Sequence, residues 1–374
     1  MYKSVKYLFL MLNRAIATGW FEHDWSNSSM SLFDFFQRQL EPQYEVSADI
    51  SKRIGTAVRQ EQQPLSEPKG AFSLNRDIIQ LRLPIAQKIH QDYLLQGIQN
   101  KNAGLHAAVL NEFAHTLIYD DDVRVLLTPN MPPIFPQLME YLRDVNTPKS
   151  SVIELISQDS HLAASVLRAS RCSLYNPSKQ SIESFDQAAG ILGLSDLKIV
   201  AMTALLGAVV NSAMTPFIHS TLWPYTCHTA IISQLLAKDS QAGFSAYLSG
   251  LFHSIGEMTF LNQLASHPIL LVNVETYHYL DEQYFERLTL AILKDWKLPE
   301  GIIDEVRSAA VMPVLNGDVS NITNLSSHLA KLIYLYQNNV WSEERVIRTL
   351  DSMHMHIEQL DAVIALSAGQ LLNA

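Results

Sequence analysis

The chain has 374 residues, 48% hydrophobic and 17% charged, enough to bury a sizeable core in one or two domains and too apolar for the disordered class. The formal net charge is −10. It is unevenly spread, with 13 Lys+Arg against 14 Asp+Glu in residues 1–130 and 14 against 23 in the remainder. That balance argues against a sequence-independent nucleic-acid binder, which needs Lys and Arg to neutralise phosphates.

The first twenty residues, Met1 to Trp20, carry a short apolar core interrupted by Asn13 and Arg14. They read as an amphipathic first helix rather than a signal or an anchor, so the expected location is cytoplasmic. The dipeptide His23-Asp24 is read as incidental. Gln60 to Lys69 reads as a loop. Apolar spacing at Ile78, Ile79, Leu81, Leu83, Ile85 and Ile89 predicts helix, and the same pattern continues from Gly104 to Tyr119. Asp120-Asp121-Asp122 reads as a solvated acidic loop. Thr128 to Pro136 holds four prolines, which lack a backbone donor and break helices, so a domain boundary is placed just before it.

Beyond the boundary helix signals are dense. Ser151 and Glu154 have capping-box spacing. Asp159 is positioned to cap a second helix, and Pro177 stops it. Ser184 and Phe185 open another, ended by Gly193 as the C′ residue. Ser195 then caps a long apolar helix from Asp196 to about Ala213. Further helices are predicted from about Tyr225 to Lys238, Phe244 to Gln263, Asp281 to Trp296, Glu300 to Ala310, Leu325 to Gln337 and Ser342 to Leu372. Leu270 to Val274 is the one short β-like run. His354 and His356, two residues apart, cannot share a helix face and are not read as a metal pair. Cys172 and Cys227 cannot form a disulfide framework, and no C-x-x-C pair offers a zinc or redox site, so both are expected to be free thiols.

Three segments carry a resemblance: Pro133 to Leu138, Ser151 through Leu194 (with I-S-Q-D-x-x-L-A-A-x-V-L-R, S-L-Y and A-x-x-I-L-G-L), and Leu251-Phe252-His253-Ser254-Ile255-Gly256. Together they resemble the HDOD family, the HD-related output domains of bacterial signalling, over roughly Thr128 to Tyr336. The resemblance implies an all-α fold, an HD-domain-like helical bundle. The expected organisation is a helical region over 1–127, the HDOD domain over 128–340, and a C-terminal helical extension over 341–374 packed on it.

HD relatives of that family are metal-dependent phosphohydrolases, in which several imidazole and carboxylate ligands hold a divalent cation that activates water. On this resemblance the first histidine position matches His228 and the histidine of the His-Asp pair matches His253, but the aspartate position holds Ser254. Trp296-Lys297-Leu298-Pro299 resembles the family's W-x-L-P turn, and three further ligand positions fall near Phe285, Ala309 and Ala310. No catalytic residue, metal ligand or cofactor is therefore assigned; any metal would rest on His228 and His253 alone. The expected function is a non-catalytic signalling module that binds a protein partner or a small ligand through a groove or apolar patch, with no nucleic acid and no membrane. The alternative is a metal-dependent phosphohydrolase acting on a nucleotide or other phosphoester.

Overall fold

A computed structural model describes residues 104–371 apart from 145, 172–175, 177–179, 183, 238–239, 266–273, 311–313, 316–317 and 320–321. Before them it describes Leu81, Pro84, Ile85, Gln87, Lys88, Ile89, Asp92 and Tyr93. All of these belong to one compact unit that includes residues 72–374. The readings made for Met1–Trp20, His23-Asp24, 60–69 and Cys172 lie outside the described residues.

The unit is all-α. Its helices run in the order α1 (Gly104–Tyr119), α2 (Asp121–Leu127), α3 (Phe135–Arg143), α4 (Lys149–Gln158), α5 (Ser160–Arg171), α6 (Phe185–Ala213), α7 (Pro216–Leu236), α8 (Ser240–Phe252), α9 (Ile255–Ala265) and α10 (Val274–Leu280). A π turn, Asp281–Phe285, joins α10 to α11 (Glu286–Asp295), followed by α12 (Glu300–Ala310), α13 (Ile322–Gln337), α14 (Glu343–Ser352) and α15 (Ile357–Leu371). Among the described residues the strands are two antiparallel pieces of two residues, Val314–Leu315 and Asp318–Val319.

Several local signals act as read. Asp159 Oδ1 accepts from the amides of His161 and Leu162, each at 2.9 Å. Ser184 accepts from Gln187 N at 3.2 Å. Gly193 has φ 71° and breaks α6 into two segments, a backbone conformation that a Cβ makes costly. Others act differently. Ser151 lies inside α4, whose N-cap is Pro148, so the capping box is not formed. The acidic triplet is a helix start rather than a loop: Asp120 accepts from Val123 N at 3.1 Å, while Asp121 and Asp122 fill the first turn of α2, where carboxylates meet the positive end of the helix dipole. The helix placed at Tyr225 starts nine residues earlier at Pro216 and carries Pro224 within it. The helix placed over Phe244 to Gln263 is two, parted by a turn at His253 and Ser254. The last predicted helix also divides, with exposed His354 (φ 57°) and His356 in the connection. Of the β-like run, 270–273 lie outside the described residues and Val274 opens α10.

The core is built around α7. Ile218, Leu222, Trp223, Tyr225, Cys227, Ala230, Ile231, Ile232 and Leu236 are all buried, as are the polar Thr226, His228, Thr229 and Ser233, so the helix is enclosed on more than one face, as a central helix must be. It packs on α8, α13, α15 and α6. Its approach to α8 is unusually close: a Cβ added at Gly250 would stand 2.6 Å from Ala230 Cα and 2.9 Å from its amide nitrogen. A second close approach fixes α9, where a Cβ at Gly256 would meet the Phe285 carbonyl at 2.5 Å and the Thr289 nitrogen at 2.6 Å.

The end of α11 is anchored to the proline-rich stretch. Trp296 Nε1 donates to the Pro129 carbonyl at 3.1 Å, and Arg124 pairs with Asp295 at 2.6 Å. Lys297 takes φ 57° and Leu298 N reaches back to the Leu293 carbonyl at 3.0 Å, a Schellman-type stop with lysine where glycine is usual. Upstream, Asp92 accepts from Trp341 Nε1 at 2.8 Å and from Arg345 at 3.0 Å, and pairs with Lys88 at 2.8 Å. Burial raises its pKa, but these donors together outweigh it and hold the carboxyl below the usual range.

Gly250→Ala should destabilise the protein by about 1–3 kcal/mol, because the atoms in its way are backbone and cannot rotate aside. Gly190→Ala, also on a helix but with nothing within 4 Å of its Cβ, should be neutral or stabilising by up to about 1 kcal/mol. Chemical denaturation of the two variants checks the pair.

Candidate functional site

The turn between α8 and α9 holds His253 and Ser254, and the close contact at Gly256 sets it in place. Gly256 N donates to Thr289 Oγ1 at 3.0 Å, and the same hydroxyl donates to the His253 carbonyl at 3.3 Å. One threonine of α11 therefore ties both sides of the turn.

Hydrogen-bond roles around the histidine follow from a single carbonyl. His253 Nδ1 lies 2.7 Å from the Gly250 carbonyl, which can only accept, so Nδ1 carries the proton. Burial pushes the ring pKa down to about 4, opposed by the Gly250 bond and assisted by the Lys331 charge, so the ring is neutral near pH 7 and Nε2 is an acceptor. The Tyr225 hydroxyl donates to it at 2.9 Å and accepts from Ser327 Oγ of α13 at 2.8 Å. Three helices thus meet in one directed chain, Ser327 to Tyr225 to His253 to the Gly250 carbonyl.

Ser254 is turned elsewhere. Thr226 Oγ1 donates to the Leu222 carbonyl at 2.9 Å, so the Ser254 hydroxyl donates to Thr226, at 2.6 Å. Ser254 is 2% exposed and makes no nucleophile–base pair with His253. His228 stands one turn beyond Tyr225 on α7; it is buried, and burial lowers its pKa to about 4. Phe285 packs its ring on Phe260 and Tyr277, and Ala310 ends α12. Among the described residues no three His, Cys, Asp or Glu side chains are grouped so as to hold a metal ion.

Behind the turn lies a charged cluster that the motif reading does not contain. Glu257, in the first turn of α9, accepts from the Tyr277 hydroxyl. Lys331 of α13 is buried, with Nζ 5.9 Å from the Tyr93 ring and 5.6 Å from the Tyr225 ring, within the range of cation–π attraction. Burial lowers its pKa, while Asp281 and Glu257 hold it up. Two carboxyls face one ammonium. Burial first and the Asp281 charge second push Glu257 up to about 7, against the Tyr277 bond and Lys331. The Tyr93 hydroxyl, buried beside this cluster, has no hydrogen-bond partner among the described residues. Tyr225 belongs to both networks, so the cluster and the histidine turn form one polar seam through an apolar core.

Tyr225, Glu257, Asp281, Ser327 and Lys331 carry no motif. A signal for two of them exists in the sequence all the same: Glu257 and Lys331 are lone charges inside otherwise apolar helical runs, and a charge in such a place is buried only when paired.

The family model for the HDOD domain matches residues 128–311. No curated protein matches the chain. Among solved structures, a candidate metal-dependent phosphohydrolase from Shewanella amazonensis SB2B is 20% identical, with 72% of this chain and 98% of that one covered and a TM-score of 0.49. An HDOD domain protein of unknown function from Geobacter sulfurreducens is also 20% identical, covering 70% and 97%, with a TM-score of 0.49. A candidate signal transduction protein from Marinobacter aquaeolei VT8 is 18% identical, covering 73% and 66%, with a TM-score of 0.47.

The raised Glu257 pKa has a stability consequence with a definite sign. The folded state holds the proton more tightly than the unfolded state, so the contribution is fully present below the unfolded value near 4.5 and is lost as pH rises through about 7. His228 and His253 act oppositely, with stability lost as pH falls from 6.5 through about 4. Comparing wild type with Glu257→Gln isolates the carboxyl. The variant's stability relative to wild type should rise between pH 4.5 and 7.5, by an amount of order 2–3 kcal/mol, as read by urea denaturation at a series of pH values.

Proposed function

We propose, from the premise that this chain belongs to the HDOD family through residues 128–311, that it is a non-catalytic binding module of bacterial signalling, acting through a protein partner or a small ligand. The observation that carries this reading is the commitment of His253. Both ring nitrogens are engaged by the chain itself, at 2.7 Å to the Gly250 carbonyl and 2.9 Å to the Tyr225 hydroxyl. Ser254, where a carboxylate would be wanted, gives its hydroxyl to Thr226.

The donor set does not fit a divalent cation. A metal at His253 would have to displace the Tyr225 hydroxyl, and His228 could add one further neutral nitrogen. Open catalytic sites use three protein ligands and draw much of their affinity from carboxylate charge. Ser254 supplies no such charge, and Glu257, the carboxyl nearest in sequence, is held by Tyr277. The hydroxyl chain ends in a carbonyl, so it fixes the turn rather than passing a proton to a substrate.

Charge supports the same reading. The acidic balance beyond residue 130 disfavours duplex nucleic acid. The α6 helix is long and apolar enough to cross a bilayer by length and composition, but 67% of its apolar window is buried inside the protein and Gly193 breaks it. These features fit a cytoplasmic module.

The test is elemental analysis of the native protein alongside phosphomonoester and cyclic-nucleotide hydrolysis with added Mn²⁺, Mg²⁺, Ni²⁺ or Fe²⁺. Substoichiometric metal and no turnover are expected, with His253→Ala costing about 1–3 kcal/mol of stability. Stoichiometric metal with turnover that disappears in His253→Ala would overturn the reading in favour of a phosphohydrolase.

A further inference from the structure

A cavity of about 620 Å³ opens between α3, the segment of α6 that follows Gly193, the start of α8 and the turn at Lys297. That volume is in the range of small-molecule sites. Phe135, Met139, Leu142, Leu194, Phe244 and Leu298 give it an apolar lining. One half-buried cation stands in that wall. Lys198 Nζ donates to the Leu142 carbonyl and lies 5.4 Å from the Phe244 ring centroid.

Three features of Lys198 point to a missing partner. An ammonium has three N–H donors, and a single protein acceptor, the Leu142 carbonyl, is found for them among the described residues. No carboxylate there forms an ion pair with it. Asp144, the nearest acidic influence, spends its oxygens on Asn146 N at 2.9 Å, Asn146 Nδ2 at 3.2 Å and Thr147 Oγ1 at 3.3 Å. Burial depresses the lysine pKa, and Asp144 only partly offsets this. A half-buried ammonium with one protein acceptor and no counter-ion is only partly compensated; an anion entering the cavity would supply a counter-ion.

Size and sign narrow the anion. Glu140 and Asp144 also border the cavity, as does the exposed Lys297, so two carboxylates offset two ammoniums and the lining has no net positive charge to favour a dianion such as a phosphomonoester over a monoanion. Two phenylalanine rings and four aliphatic side chains suit a flat or extended apolar body. We infer that this cavity is a binding site for a small monocarboxylate with an aromatic or medium-length aliphatic body, its carboxylate held by Lys198 and its apolar part lodged among Phe135, Met139, Leu194, Phe244 and Leu298. This inference rests on the small-ligand branch of the binding-module reading and gives it a place and a chemical class.

Titration calorimetry of the full chain tests it, with 2-naphthoate and octanoate as carboxylate probes, 2-naphthalenemethanol as a neutral isostere and 1-naphthyl phosphate as a dianion. Carboxylates should bind, and the alcohol and the phosphate should bind at least about tenfold more weakly, the loss of one charge-assisted hydrogen bond being of that order. Lys198→Met keeps the stem length and removes the charge, and should weaken 2-naphthoate and octanoate binding by about tenfold or more while leaving the weak binding of the neutral alcohol unchanged. Ser195→Phe, at the exposed edge of the cavity, should block every probe by volume even if Lys198→Met folds poorly. Binding unaffected by both substitutions, tighter binding of the phosphate, or no carboxylate binding up to about 5 mM (a Kd beyond which specific recognition is not meaningful) would each overturn the assignment. None of these results touches the non-catalytic reading, which falls only to metal-dependent turnover.

Discussion

Contact of backbone on backbone organises this protein. At Gly250 the α8 helix lies against Ala230 of α7 with no room for a side-chain carbon, and at Gly256 the start of α9 lies equally close to Phe285 and Thr289. Between those two fixed points the chain has five residues in which to leave one helix and enter the next. Its turn is therefore set from both sides, and His253 has little choice of direction. The Gly250 carbonyl then dictates the histidine tautomer, the tautomer dictates which way the Tyr225 hydroxyl points, and Tyr225 dictates the role of Ser327. Interiors pack at crystal-like density, so geometry imposed at two glycines is transmitted to polar groups on three other helices.

The polar seam that results is held at an energetic compromise. Burial lowers the Lys331 pKa while Asp281 and Glu257 oppose that shift, and burial with the Asp281 charge pushes Glu257 up to about 7. Replacing such a cluster with apolar side chains is often neutral for stability in other proteins. What the seam gives here is register: Ser327, Lys331 and Tyr334 are spaced to lie on one face of α13, and that face meets Tyr225 and Tyr93. A slip of α13 along α7 would break the Ser327 bond and move the ammonium off both rings.

Much of the fold was legible in the sequence because caps and glycines act locally. Asp159, Ser184 and Gly193 do what their side chains, or the lack of one, dictate within a few residues, and α1 and α12 have the boundaries their apolar spacing predicts. Tertiary packing overrides local preference elsewhere. Pro224 is tolerated inside α7 although it removes a helical donor, whereas local preference alone starts that helix one residue after it. The turn at His253 and Ser254 contains neither glycine nor proline, so the apolar run across it read as one helix. In the candidate site, the sequence identified the absence of a carboxylate at Ser254. It did not identify Tyr225, Ser327 or Lys331, because their roles come from long-range contacts between helices that no spacing along the chain records.

Asp92 and Tyr93 are consecutive residues with two different attachments. Asp92 is clasped by Trp341 and Arg345 near the C-terminal end, while the Tyr93 ring lies 5.6 Å from that of Tyr225. One peptide bond therefore separates a clasp between the two ends of the unit from the wall of the histidine turn. The contacts that hold the turn therefore reach beyond residues 128–311, the span that the family model matches. A fragment trimmed to that span would lack Tyr93, Ser327 and Lys331. Its Tyr225 hydroxyl would lose its donor, and Glu257 and Asp281 would be left as two carboxyls without the ammonium between them. The sequence signature and the set of contacts that hold the histidine turn therefore have different bounds along the chain.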